Sequence, residues 1–279
     1  MTTESSVLSN GMKQPLAVHS FLIYIIVFAG YIVLSLLSDY VSQKPVMQLI
    51  WLITPSMGLI LLPVLIFTYL KGFNLKETFH IKIPRFKVYL VSIMIIVSGL
   101  IIIGAINGLL TPLFKPYESP LKNLEIQLLS LADYNIWWLL LGTTLIPAIC
   151  EELLFRGFIL RGFMNSVGRT QAIIITALLF GSMHFLIPRI FITALIGILF
   201  GILLILTDSI IIPITGHFIN NLAAMLILLK SRGVNPDSAD MTVFPFYIIV
   251  IAAGFFTIGI YWLIRNKQTS AIANHNAFA

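Results

Sequence analysis

Long apolar runs separated by short polar segments account for most of this chain. A helix needs about 17 to 25 predominantly apolar residues to cross a bilayer, and runs of this length recur from near the start of the chain to near its end. We therefore predict an all-α fold, a polytopic membrane helical bundle of about eight transmembrane helices. The predicted spans are 21–37, 46–70, 88–110, 136–163, 170–187, 190–206, 210–229 and 243–264.

The segments outside these runs are too short for a soluble domain. We expect a cytoplasmic amino-terminal tail at 1–19, a single membrane domain at 20–265 and a cytoplasmic carboxyl-terminal tail at 266–279. The first run follows a mostly polar stretch, and no small-x-small cleavage site comes after it, so we expect it to remain as an anchor. In the loop 111–135, leucines recur at roughly helical spacing. This pattern predicts an amphipathic helix, either along the membrane surface or as an ordinary loop helix.

Composition agrees with a membrane protein. Hydrophobic residues make up 58% of the chain and charged residues only 10%, whereas soluble domains carry about 25% charged residues. The net charge of +6 is best explained by topology, because cytoplasmic loops are rich in Lys and Arg. Five of these residues lie in the second loop: Lys71, Lys76, Lys82, Arg85 and Lys87.

This distribution predicts that both termini are cytoplasmic and that the protein lies in a bacterial plasma membrane. The basic surface then faces anionic lipid, so the expected partner is the lipid bilayer. Nothing in the charge pattern supports binding of nucleic acid.

Two adjacent acids, Glu151 and Glu152, interrupt the predicted fourth span. A carboxylate at the centre of a membrane helix costs about 2.5 to 3.5 kcal/mol even on lenient scales, and such residues are usually functional. Arg156 lies four residues after Glu152, so these two side chains share a helix face and can form an ion pair. Glu151 is rotated by about 100° from Glu152 and has to find its partner on another helix.

Two later apolar runs each carry a histidine. His184 shares a helix face with Phe180, and His217 shares one with Asn221, while Asn220 points elsewhere. Counted from the predicted turns, the acids and both histidines lie at comparable depths. We therefore expect them to form one site, with a cavity that opens toward the cytoplasm.

Three motifs carry a family resemblance. The chain reads EELLFR at 151–156, FGSMH at 180–184 and HFINN at 217–221. In this order, on successive membrane segments, they resemble the CPBP family of intramembrane proteases, the CAAX protease and bacteriocin-processing (ABI) enzymes that include the type II CAAX prenyl endopeptidase. The resemblance covers about 136–229, which would be the protease-like catalytic core.

The resemblance implies an intramembrane endopeptidase that hydrolyses a peptide bond of a membrane-associated protein or peptide. Glu151 and His184 would position and activate a water molecule, and His217 and Asn221 would form the oxyanion hole. Three further residues are implied in supporting roles: Glu152, Arg156 and Phe180.

The resemblance leaves the role of a metal open, because the family is often labelled metalloprotease. If a metal is used, Glu151, His184 and His217 would be its ligands, and zinc suits such a set. The chain has no HExxH motif, the usual helix of zinc proteases. A glutamate-activated water without a metal would need the same residues.

Two other classes of function stay open. A proton- or cation-coupled transporter also uses buried Glu and His, and Pro147, Pro213 and Gly216 could break helices near a site. No internal repeat supports that alternative. A non-catalytic immunity or scaffold protein is the other alternative. For a protease in a bacterium, we expect a leader peptide, a signalling peptide or a membrane protein as substrate; a prenylated protein is expected only where the host makes one.

Overall fold

The computed structural model describes residues 14–37, 40, 44–231 and 244–276, with only the backbone described at 115–121 and 269–276. Within these ranges the chain is helical apart from its connections. The helices in chain order are α1 Ala17–Leu37, α2 Pro45–Leu70, α3 Leu75–Thr78, α4 Phe86–Leu110, α5 Glu118–Leu140, α6 at 141–167, α7 Arg169–Ser182, α8 Ile187–Thr207, α9 Ile211–Lys230 and α10 Phe246–Asn276.

The predicted all-α membrane bundle is confirmed. Seven helical segments of the described chain are long and apolar enough to cross a membrane. The predicted tail at 1–19 falls outside the described residues up to residue 13, as does residue 243, where the last predicted span begins. Helix α10 extends to Asn276 and so includes most of the predicted carboxyl-terminal tail.

The predicted fifth span is shorter than the sequence pattern suggests. Helix α7 has 14 residues, which is about 21 Å at 1.5 Å per residue, less than the roughly 30 Å of hydrocarbon in a bilayer. It ends because Phe185 adopts a left-handed conformation with φ of 54°, and Pro188 then lies in the first turn of α8. His184 therefore lies in a turn between two helices.

The predicted amphipathic segment in the loop 111–135 is helical. It forms most of α5, which is kinked where Asn135 leaves helical geometry with φ of −160° and ψ of 97°. The Asn135 side chain accepts a hydrogen bond from the backbone N–H of Trp138 at 3.2 Å, as an N-cap does. The chain then continues into α6. Its position along the membrane surface stays a prediction.

Wide π-helical turns flank the two acids. Leu141–Leu145 and Leu153–Ile159 are π-helical within α6, and the ordinary α-helical stretch between them ends at Glu152. A third π-helical stretch, Pro55–Leu61, lies within α2. Such turns are rare and often occur at functional sites. They also change which side chains of α6 face its neighbours.

Glycines allow close approach between helices. A Cβ atom at Gly181 would lie 2.5 Å from the carbonyl oxygen of Ile190, and one at Gly197 would lie 3.0 Å from Cα of Ala177. These contacts hold α7 against α8, and small residues have this role at many membrane helix interfaces. The α7–α8 hairpin thereby fixes the turn that carries His184.

Several polar segments meet at one end of the bundle. His80 Nδ1 donates to Oδ1 of Asp208 at 2.6 Å, and Nζ of Lys82 contacts the other carboxylate oxygen. Arg161 reaches the Nε2 atom of His80 at 3.5 Å and donates to Gln14 at 3.1 Å. We call this the basic end. It brings together parts of the amino-terminal tail, the second loop and the turns before α7 and α9, which are the segments predicted to be cytoplasmic.

The carboxyl group of Asp208, at the basic end, has a strongly perturbed pKa. Its pKa is held well below its ordinary value, first by the hydrogen bond from His80 and then by Lys82. Asp208 also has φ of 52° and ends α8 in the left-handed conformation. This one residue therefore joins α8 to the second loop.

Candidate active site

A buried ion pair lies in the middle of the bundle. Arg156 Nη1 donates to Oε1 of Glu152 at 2.8 Å, and neither side chain is exposed to solvent. Arg156 Nη2 also donates to the backbone carbonyl of Gly197 on α8 at 3.4 Å. The i, i+4 pairing predicted for these two residues is present. Its additional bond to α8 ties α6 to the α7–α8 hairpin.

His217 on α9 lies between the two glutamates. Its Nδ1 donates to Oε1 of Glu152 at 2.8 Å, and its Nε2 lies 3.9 Å from Oε2 of Glu151. The Glu152 carboxylate, paired with Arg156, accepts the hydrogen bond from Nδ1–H and thereby fixes the orientation of the imidazole ring. The second nitrogen of His217 is left facing the Glu151 side of the site.

Aromatic rings enclose these charges. The guanidinium of Arg156 stacks on Phe180 at 4.4 Å from the ring centre and lies 5.6 Å from the Phe200 ring. The same two rings contact His217, with centroid distances of 5.7 Å and 6.1 Å. Cations are stabilised over aromatic faces. The side chains of His217 and Arg156 are therefore buried between aromatic rings.

His184 joins the site through Phe180. Their rings meet edge to face at a centroid distance of 5.4 Å. His184 Nδ1 lies 3.2 Å from the backbone carbonyl of Phe180. A carbonyl only accepts hydrogen bonds, so Nδ1 carries the proton, and in the neutral ring Nε2 keeps its lone pair. His184 is thus set up to accept a hydrogen bond from a water molecule.

Glu151 is the more open of the two acids. Its side chain is 18% exposed, whereas that of Glu152 is fully buried. Within the described residues, no hydrogen bond or ion pair joins Glu151 to His184. Glu151 also acts electrostatically on Tyr31 of α1, whose hydroxyl is hydrogen-bonded to Ser56 of α2. The expected partner of Glu151 on another helix is His217, whose Nε2 atom lies 3.9 Å from the carboxylate.

The Asn221 side chain is hydrogen-bonded to its neighbour in the chain. Nδ2 of Asn220 donates to Oδ1 of Asn221 at 3.2 Å. With its oxygen occupied, Asn221 presents its own N–H groups as the remaining side-chain donors. Adjacent residues lie about 100° apart on a helix, so the prediction that Asn220 is off the face of His217 and Asn221 stays a prediction.

The donor set does not fit the metal alternative. In the parts of the chain that the structure describes, no three His, Cys, Asp or Glu side chains are grouped closely enough to hold a metal ion. His217 and His184 hold Nδ1 on Glu152 and on the carbonyl of Phe180, so each ring could offer only its Nε2 atom. We propose a mechanism that has no step through a metal.

The structure brings the three predicted motifs into one site, and it adds residues that the motifs did not contain. Tyr31, Gly197 and Phe200 all contact or act on motif residues. None of them stands at helical spacing from its partner in the sequence, so periodicity could not reveal them. Cys150, beside the acids, is buried and forms no disulfide. The catalytic roles of the motif residues stay predictions.

Comparison with known proteins gives a match to a family model. No curated protein and no solved structure matches the chain. Residues 133–223 match the family model described as Type II CAAX prenyl endopeptidase Rce1-like. These residues include all three motifs and nearly the whole predicted core at 136–229. The match confirms the resemblance drawn from the motifs, and the similarity to the Rce1-like family lies in the segment that forms the candidate site.

Proposed function

We propose that the protein is an intramembrane endopeptidase that hydrolyses a peptide bond of a membrane-associated protein or peptide. The observation that carries the proposal is the position of His217. Its two ring nitrogens face Glu152 and Glu151, and its ring contacts Phe180, which also contacts His184. A peptide bond placed there would have an acid, two histidines and an amide within reach, and the family match supports this reaction class.

In the first step, water attacks the scissile carbonyl carbon. Glu151 accepts one proton of this water as general base, and Nε2 of His184 accepts a hydrogen bond from the other proton, which orients the nucleophile. A positioned general base contributes typically about 10² to 10⁴ in rate. The open surroundings of Glu151 and the lone pair on His184 support this division of roles.

The carbonyl oxygen becomes negatively charged in the tetrahedral intermediate. Nδ2 of Asn221 donates to it, and Nε2 of His217 donates to it when the ring carries protons on both nitrogens. Two carboxylates and Arg156 surround that ring, so a protonated His217 would leave the group of four charges neutral. When the intermediate collapses, Glu151 gives its proton to the leaving amine nitrogen and the peptide bond breaks.

Glu152, Arg156 and Phe180 support the site without touching the substrate. Glu152 orients His217, Arg156 balances the charge of Glu152, and the Phe180 ring contacts Arg156 and both histidines. Glu152 therefore does more than stabilise its own helix, because it also accepts a hydrogen bond from His217 on α9. We expect Glu152 variants to affect both folding and His217.

The protein has several apolar helices of membrane-spanning length, and we place it in a bacterial plasma membrane with both termini in the cytoplasm. The segments that gather at the basic end carry Lys82, Arg85 and Arg161. An excess of Lys and Arg on the cytoplasmic side is the usual bias, so the clustering of these segments supports that orientation. The expected substrate is a leader peptide, a signalling peptide or a membrane protein.

The test of this proposal is quantitative terminal-peptide analysis of membranes from source cells that express either the wild type or Glu151→Ala, His184→Ala and Glu152→Gln variants. A peptide that disappears in both alanine variants, at unchanged protein levels, would support proteolysis and name the substrate. If the peptide profiles do not change while the cells still need the protein, proteolysis would be contradicted. The transporter or scaffold alternatives would then explain the dependence.

A further inference from the structure

A crevice of about 270 Å³ lies at the basic end. Its walls come from the end of the second loop and from the neighbouring ends of α4, α8 and α10. Each of these three helices contains a stretch long and apolar enough to cross a membrane, and the crevice lies close to where those stretches begin or end, at Phe86, Thr207 and Gln268. The ends of membrane spans lie near the lipid headgroups. The crevice is therefore at a depth where headgroups surround the protein.

Cationic side chains line the crevice from two directions. Lys82 and Arg85 come from the second loop, and Lys267 comes from α10. An acid, Asp208, also lines the crevice, and it is paired with Lys82 and His80. The side chain of Arg85, by contrast, has no hydrogen bond or ion pair with any residue that the structure describes. Because Asp208 offsets Lys82, the charges of Arg85 and Lys267 are left in excess, and they suit an anionic ligand.

Hydrogen bonds fix the walls of the crevice relative to one another. Ser209 Oγ donates to the backbone carbonyl of Lys82 at 2.5 Å, which ties the second loop to the turn after α8. Nζ of Lys267 donates to the backbone carbonyl of Ile205, which ties α10 to the end of α8. An ammonium group has three N–H donors, so Lys267 keeps two of them for a ligand. The cations are thus positioned by bonds within the protein.

The crevice also has apolar side chains among its lining residues. Ile83 from the second loop, Val88 from α4 and Leu263 from α10 line the same space as the cations. Apolar side chains contribute nothing to holding a dissolved inorganic anion. Contact with the glycerol and upper acyl carbons of a lipid, however, buries apolar surface and is favourable. Positive charge and apolar surface in one crevice therefore fit an amphiphile with an anionic head.

We propose that this crevice binds one anionic membrane phospholipid by its phosphate group. Arg85 and Lys267 donate to the phosphate oxygens, and Ile83 and Val88 contact the glycerol and the upper acyl carbons. Arginine suits this role because its guanidinium can donate two parallel N–H bonds to one phosphate. Basic pockets between membrane helices are known to bind lipid headgroups. The site is separate from the candidate active site, and it differs from the rest of the basic surface, which attracts anionic lipid without holding a particular molecule.

Native mass spectrometry of the purified protein tests this proposal. The protein is stripped of lipid in a neutral detergent and titrated with phosphatidylglycerol, with phosphatidylcholine of the same acyl chains, or with glycerophosphoglycerol, the headgroup without acyl chains. Arg85→Gln and Lys267→Gln each remove one cation from the crevice. Lys230→Gln is the matched control, because Lys230 ends α9, roughly 30 Å along that helix from the turn beside the crevice. Thermal unfolding in lipid-free detergent checks that each variant is folded.

We expect the wild type to hold one phosphatidylglycerol molecule in preference to phosphatidylcholine and to glycerophosphoglycerol. Arg85→Gln and Lys267→Gln should each weaken this binding by about 5-fold, and Lys230→Gln should leave it unchanged. No lipid held by the wild type, or the same affinity in all three variants, would overturn the site. Equal binding of phosphatidylcholine or of glycerophosphoglycerol would overturn its assignment to an anionic lipid. Because no peptide substrate is used, the result does not depend on whether the protein is a protease.

Discussion

The Nδ1 atom of His217 lies 2.8 Å from Oε1 of Glu152, and both side chains are buried. That oxygen also accepts the hydrogen bond from Arg156, while Oε2 of Glu152 has no partner among the described residues. One carboxylate oxygen thus connects α9 to the ion pair within α6. Residues 65 positions apart in the chain depend on a single acid for their relative placement.

Glu151 and Glu152 should respond differently to the same substitution. Glu151→Gln removes the proposed general base, so we expect peptide hydrolysis to fall by about 10² to 10⁴, while the thermal unfolding temperature in detergent stays the same. Glu77→Gln, on α3 outside the site, is the control and should change neither. Wild-type activity in Glu151→Gln would contradict the assigned role.

Glu152→Gln should lower stability first. Removing one partner of a buried ion pair costs about 3 to 5 kcal/mol because the other charge is left unpaired, and Arg156 would be that charge. We expect a clear drop in the thermal unfolding temperature together with reduced activity. An unchanged unfolding temperature would show that the Glu152 charge does not stabilise the fold.

Arg156 and Glu152 should also be energetically coupled. Arg156→Met leaves Glu152 buried without its cation and should destabilise the protein by about 3 to 5 kcal/mol. In the double variant Arg156→Met with Glu152→Gln, no unpaired charge remains, so part of this loss should be recovered. A double-mutant cycle on unfolding free energies measures the coupling. Additive effects would indicate that the two side chains act independently.

Gly181 should be needed to place His184. A Cβ atom there would lie 2.5 Å from the Ile190 carbonyl oxygen, so Gly181→Ala should push α8 away from α7 and shift the turn that holds His184. We expect a loss of activity and of thermal stability. Gly254→Ala on α10 is the matched control, because its added Cβ meets nothing within 4 Å. Similar behaviour of the two variants would contradict this packing role.

Asp208 should make the folding stability of the protein depend on pH. Its pKa is lowered by His80 and Lys82, so its contribution to stability is complete above the unfolded-state value of about 3.9 and is lost as the pH falls through the folded-state pKa. Asp208→Asn keeps a residue that tolerates the left-handed backbone. We expect it to be less stable than wild type above about pH 5, with a difference that shrinks below about pH 4. A difference unchanged down to pH 2 would contradict the assignment.

The sequence predicted the contacts that run along one helix better than those between helices. The Glu152–Arg156 pair follows from four-residue spacing, and the apolar runs predicted nearly every span. The bond from Glu152 to His217 could not be predicted, because it depends on how α6 and α9 are rotated against each other. The π-helical turns at Leu153–Ile159 change that rotation, and no pattern in the sequence predicts them.

The sequence also did not predict that α7 ends early, because 170–187 is apolar almost throughout. The turn depends on the left-handed Phe185 and on close packing at Gly181, which are properties of the folded hairpin. Sequence reasoning thus identified His184 as a site residue but assigned it to the interior of a helix.

Glu151 is the residue that we propose activates water to cut a peptide bond. The most direct measurement uses the purified wild type and Glu151→Gln, each reconstituted in liposomes together with the membrane peptide found in source cells, and counts new amino termini by mass spectrometry. We predict cleavage at one position by the wild type and a rate at least about 100-fold lower for Glu151→Gln. Equal cleavage by both proteins, or no cleavage by the wild type, would contradict the claim.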